Sequence, residues 1–209
     1  MRLLVFGATG PTGRQILAQA LDKGHTVTAF ARDPAALGVT HERLRVVQGD
    51  TTQDAQAIAS ALEGQDAVAS ALGRHNTLKS EGLQERSMSL IVPAMERAGV
   101  KRLLVVSAMG VGGSHEDAPW LPRLMYKALL RDLFADKQAA EDLIRQSSLQ
   151  WTFAYPTMLT NGPLTGRYRA AEKLELTGLP KISRADVAHF VLAELEQRRF
   201  VRRTAVLSD

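Results

Sequence analysis

Arg2-Leu3-Leu4-Val5-Phe6-Gly7-Ala8-Thr9-Gly10-Pro11-Thr12-Gly13-Arg14 decides how the rest of the chain is read. Residues 2–6 are a short apolar run of strand character. Glycines then fall at positions 7, 10 and 13, and residues 14–21 carry Ile16, Leu17, Ala20 and Leu21 on one helical face. A buried strand, a glycine-rich turn and a helix N-terminus, in that order, suit a pyrophosphate. Glycines let the backbone bend sharply and approach phosphate oxygens with no Cβ in the way. Free N–H groups and the positive end of the helix dipole then face the anion. Thr9 and Thr12 add hydroxyl donors. The spacing is G-x-x-G-x-x-G rather than G-x-G-x-x-G, and the competing reading is a tight structural turn with no ligand.

At 209 residues the chain is expected to form one domain, residues 1–209, with residues 150–209 as a substrate-side elaboration. Apolar content of 45% and charged content of 23% are ordinary for a globular protein. Cysteine is absent, which excludes a disulfide framework and thiol chemistry. No apolar run reaches the roughly 18 residues of a membrane span, and a strand beginning at residue 2 leaves no room for a signal peptide. A cytoplasmic protein without membrane partners is expected. The net charge of +4 is spread out apart from Arg198-Arg199 and Arg202-Arg203. With no dense basic stripe, no nucleic-acid partner is expected, whereas a mild positive excess suits a polyanionic cofactor such as NADPH.

Gly24 ends the first helix, and residues 25–31 form a second strand running into Arg32-Asp33-Pro34. In dinucleotide folds this strand end meets the adenosine ribose. An acidic side chain there selects a 2′-OH, and an arginine accommodates a 2′-phosphate. Arg32 stands 25 residues after Gly7 and can grip phosphate bidentately. Arg14 is a second candidate for the same phosphate, with a solvated helix face as its other reading. Asp33 reads as an N-cap ahead of Pro34 rather than as a 2′-OH ligand. A third strand, residues 43–48, ends at Gly49-Asp50-Thr51. The Asp50 carboxylate either accepts from an adenine amino group or caps the helix of residues 53–62.

Gly64 closes that helix, and a fourth strand from residue 66 exits through Ala71-Leu72-Gly73, small enough to let a cofactor lie on the backbone. Residues 80–98 form a helix containing Pro93 and closed by Gly99. A fifth strand, residues 101–106, exits through Ser107-Ala108-Met109-Gly110. Strict alternation of strand and helix predicts an α/β, Rossmann-like, doubly wound parallel sheet with helices on both faces. Ligands in such sheets sit beyond the carboxyl ends of the strands. Gly7, Arg32, Asp50, Ala71 and Ser107 should therefore line one cleft. Residues 111–121, with Trp120, read either as a lid or as a structural loop. A helix at 123–146 carries Lys137, and a sixth strand at 149–155 is halted by Pro156. Residues 158–166 read as irregular and 168–174 as a short strand. Ser183 caps a last helix at 184–197, and 201–207 reads as an edge strand.

The opening glycine turn, Arg32-Asp33, Gly49-Asp50 and Val106-Ser107-Ala108 together resemble the atypical short-chain dehydrogenase/reductase group with an NmrA-like NAD(P)-binding domain. The likeness extends over nearly the whole chain. Ala71-Leu72-Gly73, Gly162-Pro163-Leu164-Thr165-Gly166-Arg167-Tyr168, and Ile182-Ser183 with Asp186, His189 and Phe190 resemble its flavin reductase/biliverdin-IXβ reductase branch. This resemblance implies a cofactor held by Gly7, Thr9, Gly10, Pro11, Thr12, Gly13, Arg14, Arg32, Asp50, Thr51, Ala71, Leu72, Gly73, Ser107, Pro156, Thr157 and Met158. It implies NADP(H) in preference to NAD(H), hydride transfer to a flat conjugated acceptor (flavin, quinone or tetrapyrrole-like), and no metal. Met109, Trp120 and Met158 would wall the acceptor. Ser107 matches the family serine beside the nicotinamide. Lys137 matches a lysine that sits by the nicotinamide in isoflavone-reductase-like members, its other reading being a solvated lysine paired with Glu141 at i+4. A monomer or homodimer is expected.

Two departures bear on the chemistry. No Tyr-x-x-x-Lys pair exists: Tyr126 is followed four places on by Leu130, Tyr155 by Leu159 and Tyr168 by Glu172. Alcohol-dehydrogenase chemistry and a sugar-nucleotide epimerase are thereby disfavoured. Met158 stands where the biliverdin reductase branch has a histidine, and it can stack on a ring but not deliver a proton. His189 reads as a packing histidine, and His75 lies near the cleft with no assigned role. The alternative to a reductase is an NmrA-like sensor that binds NADP(H) without turnover.

Overall fold

The computed structural model describes residues 1–73, 79–111 and 131–209. Eight strands form one sheet in the order β3-β2-β1-β4-β5-β6-β10-β8. The first six of these are β1 (Arg2–Phe6), β2 (Thr26–Ala31), β3 (Leu44–Gln48), β4 (Ala67–Ser70), β5 (Arg102–Val106) and β6 (Gln150–Pro156). They are all parallel, as the alternating pattern predicts. β10 (Arg203–Ser208) runs parallel to β6, and β8 (Arg169–Ala171) closes the sheet antiparallel to β10. Residues 201–207, expected at the edge, therefore contribute an interior strand. The short antiparallel β8 takes the outer position, a pairing that no local pattern encodes. The stretch expected to be irregular contains β7 (Met158–Thr160), which pairs with β9 (Lys181–Ser183) in a small second sheet.

Side-chain alternation along the strands feeds two cores. On one face, Leu3, Val5, Leu104 and Val106 pack with Ile16 and Leu17 of α1 (Pro11–Asp22) and Val187 and Val191 of α5 (Arg184–Gln197). On the other, Leu4, Phe6, Leu103, Val105 and Phe153 meet three helices. These are α2 (Ala55–Leu62), α3 (Leu83–Ala98) and α4, described over Arg131–Gln146. Pro93 lies inside α3, as read from the sequence. Near the amino ends of the strands, Arg102 of β5 and Glu194 of α5 form a buried pair, Nη2 to Oε1 at 2.8 Å, with the Thr152 hydroxyl beside it. Removing either partner would strand a buried charge, which costs about 3–5 kcal/mol.

Helix ends follow local chemistry. Gly24, Gly64 and Gly99 adopt positive φ where helices or turns close. Asp33 accepts from the Ala35 amide and opens the 3-10 turn Pro34–Leu37, the capping role expected of it. Ser183 accepts from the Asp186 amide at the start of α5. The start of α3 has no cap of its own; the Asp136 carboxylate of α4 accepts from the amides of Gln84 and Glu85, both at 3.0 Å.

Candidate functional site

The strand order reverses between β1 and β4, the switch point where doubly wound sheets bind ligands. The two exits touch there: a Cβ on Gly7 would lie 2.6 Å from the Ala71 carbonyl oxygen. Gly7 also needs its φ of +76°. A Cβ on Gly13 would fall 2.0 Å from the Gly7 carbonyl oxygen, so the turn closes on itself only with glycine at position 13. α1 opens on Gly10 with no side-chain cap and with Pro11 in its first turn. Among the described residues no side chain accepts from its first amides, and Thr9 and Thr12 flank them. This cradle fits a pyrophosphate.

Farther along the carboxyl edge, Arg32, Gln48, Gly49, Asp50, Gln53 and Asp54 line an open groove of about 1100 Å³. The two arginines suggested for one phosphate differ in what they have left to give. Arg14 donates Nε to the Thr9 carbonyl at 2.9 Å, Nη1 to the Leu37 carbonyl at 2.8 Å, and Nη2 to the Ala36 carbonyl. It ties the glycine turn to the turn after β2. Arg32 is exposed; its carbonyl accepts from Gln48 Nε2, and its guanidinium has no partner among the described residues. Asp50 does not cap α2. Its carboxylate accepts from the Thr52 amide and hydroxyl at 2.9 and 2.8 Å. Those bonds, with Arg32 and Arg86 nearby, hold it below the usual carboxylate range. Asp54, not Asp50, occupies the N-cap position of α2. Thr51 is buried, its hydroxyl 2.7 Å from Ser87 Oγ.

At the other end, parity puts Ser107 and Tyr155 side by side. β5 and β6 pair Val106 with Ala154, and the Ser107 amide donates to the Ala154 carbonyl at 2.9 Å. Both side chains therefore face α4, which lowers Glu141 onto them. Glu141 is 2% exposed. Its Oε1 lies 2.7 Å from Ser107 Oγ; its Oε2 accepts from Tyr155 at 2.6 Å and from Arg145 Nη2 at 3.0 Å. Arg145 in turn lies over the Phe153 ring, 4.9 Å from its centroid. Burial pushes the Glu141 carboxyl up, against the opposing bonds of Tyr155 and Ser107 and the charges of Arg145 and Lys137. Burial and the adjacent carboxylate push the Tyr155 hydroxyl far up as well, so it keeps its proton and donates it in the bond to Glu141.

Lys137 is half-buried one turn from Glu141, and burial lowers its ammonium pKa despite the Glu141 and Asp136 carboxylates. Among the described residues Glu141 forms its i+4 ion pair with Arg145 and none within ion-pair distance with Lys137, the other reading of that lysine. Sequence reading missed Glu141 and Tyr155 as site residues. The one available signal was Glu141 flanked at i−4 and i+4 by Lys137 and Arg145 on one helical face.

The remaining candidates sort by position. Leu72 offers its carbonyl to Gln84 Nε2, and Gly73 is exposed at the β4 exit. Met109 reaches toward β6, its amide 3.5 Å from the Pro156 carbonyl oxygen. Thr157 is buried and bonded through amide and hydroxyl to the Leu207 carbonyl, whereas Met158 is 55% exposed. The loop of residues 161–168 is organised by Asp186, which accepts from the amides of Thr165 and Gly166 and the hydroxyls of Thr165 and Ser183. His189 packs as expected, its Nδ1 2.9 Å from the Tyr168 hydroxyl. Trp120, His75 and the possible lid at 112–121 lie outside the described residues. Among the described residues, no cluster of His, Asp or Glu could hold a metal and no helix could cross a membrane.

The parallel sheet, its switch-point crevice and the glycine cradle define a dinucleotide-binding Rossmann protein. The chain belongs to the NAD(P)H-binding family, whose model matches residues 7–198. It is 26% identical to the photosystem II assembly factor Ycf39 of Synechocystis over 98% of its own length, and spans 61% of that relative. Its fold is similar to that of ChuY, an anaerobillin reductase from Escherichia coli O157:H7 (TM-score 0.81, 23% identity, 99% and 96% of the two chains). It is equally similar to a short-chain dehydrogenase/reductase from Veillonella parvula in complex with NADP (TM-score 0.81, 21% identity, 100% and 94%).

Proposed function

We propose that this protein is an NADPH-dependent reductase of a flat conjugated acceptor, such as a flavin, a quinone or a tetrapyrrole-like molecule. The observation that carries the reading is the contrast at the β6 exit. Thr157 is buried and bonded to the Leu207 carbonyl, while Met158 after it is 55% exposed. Leu179, 79% exposed, stands next to Pro180, whose carbonyl accepts the Met158 amide. These two exposed apolar side chains would serve as the stacking surface for the acceptor.

Residues Gly7, Thr9, Gly10, Pro11, Thr12 and Gly13 would hold the diphosphate on backbone amides. Arg32 would read the 2′-phosphate, Asp50 would lie along the adenine, and Ala71, Leu72 and Gly73 would floor the cleft. The bound dinucleotide supplies hydride. Ser107 would orient the nicotinamide end, and Met109 and Met158 would hold the acceptor flat against it. Lys137 would steer anionic groups at the mouth. A cysteine-free chain that uses NADPH suits a reducing compartment.

A direct assay tests it. Purified protein is mixed with NADPH and a panel of flavin mononucleotide, quinones and biliverdin, and NADPH absorbance is followed. Consumption with any acceptor is the expected result. Tight NADPH binding with no turnover across the panel would instead select the redox-sensor reading.

A further inference from the structure

The groups around Glu141 divide its two oxygens unequally. Oε2 accepts from two donors, the Tyr155 hydroxyl and Arg145 Nη2, which fill both of its lone pairs. Among the described residues Oε1 meets only Ser107 Oγ, at 2.7 Å. A proton on Glu141 can therefore reside only on Oε1, pointing at Ser107. With that proton present, Glu141 donates to Oγ and the single Ser107 proton is free to point into the cleft. Without it, Ser107 must donate to Oε1 and faces the cleft only as an acceptor.

We propose that Glu141 and Ser107 form a proton conduit, in which the state of the buried carboxyl sets the direction of the serine hydroxyl and supplies the proton that completes reduction of the acceptor. This rests on the reductase reading above. The atoms balance as follows. The acceptor gains a hydride, the nicotinamide being oxidised, and its developing anion takes the Ser107 Oγ proton while Oγ takes the proton of Glu141 Oε1. The bonds formed are acceptor–H and a new Oγ–H; those broken are the old Oγ–H and Oε1–H. Water then returns a proton to the carboxylate. Ser107 touches the acceptor, and Glu141 acts through it as a positioning residue.

The surroundings suit a stored proton. Tyr155 from β6 and Lys137 and Arg145 from α4 are the titratable or charged groups facing Glu141 among the described residues. α3, packed against α4, adds the buried apolar Met88 and Met95 to the same core. Burial favours the neutral carboxyl. The conduit also replaces the missing Tyr-x-x-x-Lys pair, for Tyr155 spends its own proton on Glu141 rather than on the cleft.

The test compares wild type, Glu141→Gln and Ser107→Ala as full-length proteins. A glutamine keeps the bonds from Tyr155 and Arg145 and can donate to Ser107, but has no proton to release. Infrared difference spectra taken from about pH 5 to about pH 9 should show a carboxylic-acid C=O band that titrates above the ordinary glutamate range. The band should be missing from Glu141→Gln and displaced in Ser107→Ala. With a quinone acceptor, wild-type kcat should fall as pH rises through the same midpoint. Glu141→Gln should be flat with pH and roughly tenfold or more slower on the acid side. No titrating band, or a Glu141→Gln profile that follows the wild type, overturns the conduit while leaving NADPH turnover intact. A panel with no turnover overturns the reductase reading instead, and the infrared band alone then decides whether this pair holds a proton.

Discussion

The two ends of the cleft are built in opposite ways. The end proposed for adenosine is backbone and solvent: a glycine cradle, a helix start without a side-chain cap, and Arg32 exposed in an open groove with no hydrogen bond from its guanidinium among the described residues. The end proposed for the nicotinamide is side chain and interior, where Ser107, Tyr155, Glu141 and Arg145 bond one another under α4. The first is a mould, complete before any ligand arrives and indifferent to what the far half of that ligand does. The second holds its charges out of water, where small changes in protonation have large electrostatic effects. One end should therefore govern affinity and the other rate and pH response.

The sharpest way to break this division is Gly13→Ala. A Cβ 2.0 Å from the Gly7 carbonyl oxygen forces the cradle apart, and calorimetry should find NADPH and NADH both weakened by more than about 100-fold, or about 3 kcal/mol. Retained affinity would mean that the turn is not the phosphate site. Arg32→Ala should weaken NADPH by about 1–3 kcal/mol, the worth of a charged hydrogen bond, and leave NADH unchanged. Arg14→Ala should not discriminate between the two nucleotides, because its donors are already spent on Thr9, Leu37 and Ala36. Equal losses for both arginines would erase the distinction drawn between them.

Ser107→Ala reads the other end. Steady-state kinetics should show kcat reduced roughly tenfold while titration finds the Kd for NADPH nearly unaltered. A loss confined to Kd would move Ser107 from the chemistry to binding. The smallest effect is a slope. Burial raises the Glu141 carboxyl in the folded chain, so the folded state holds that proton more tightly than the unfolded one. The stability this confers is complete below the unfolded glutamate value of roughly 4.3 and is lost as pH rises through the folded value. Glu141→Gln lacks this dependence, so its melting temperature should gain on wild type as pH increases. Parallel melting curves would mean that the carboxyl is unperturbed.

What was legible in the sequence was local. The strand, the glycine turn and the helix that follow one another from Arg2 announce the fold because each needs only its neighbours, and Asp33 ahead of Pro34 announces its cap for the same reason. Arg32 was legible as a position on a strand end. Glu141 was not, because its role depends on β5 and β6 being paired with Val106 opposite Ala154, which turns Ser107 and Tyr155 to the same face beneath a helix from another part of the chain. β10 escaped for a similar reason: only the antiparallel pairing with β8 takes it off the edge. Arg14 had the composition of a phosphate ligand but lies within reach of three carbonyls that the sequence does not bring together.

α4 holds on to its neighbours at more than one level. Asp136 grips the first amides of α3, whose Gln84 side chain in turn holds the Leu72 carbonyl at the β4 exit; one turn farther on, Glu141 grips Ser107 at the β5 exit. A slide of this rod by a single residue, 1.5 Å along its axis, would slacken both grips together. Substitutions at the exposed Met158 and Leu179 should therefore disturb the fold less than substitutions at Asp136 or Glu141 of α4.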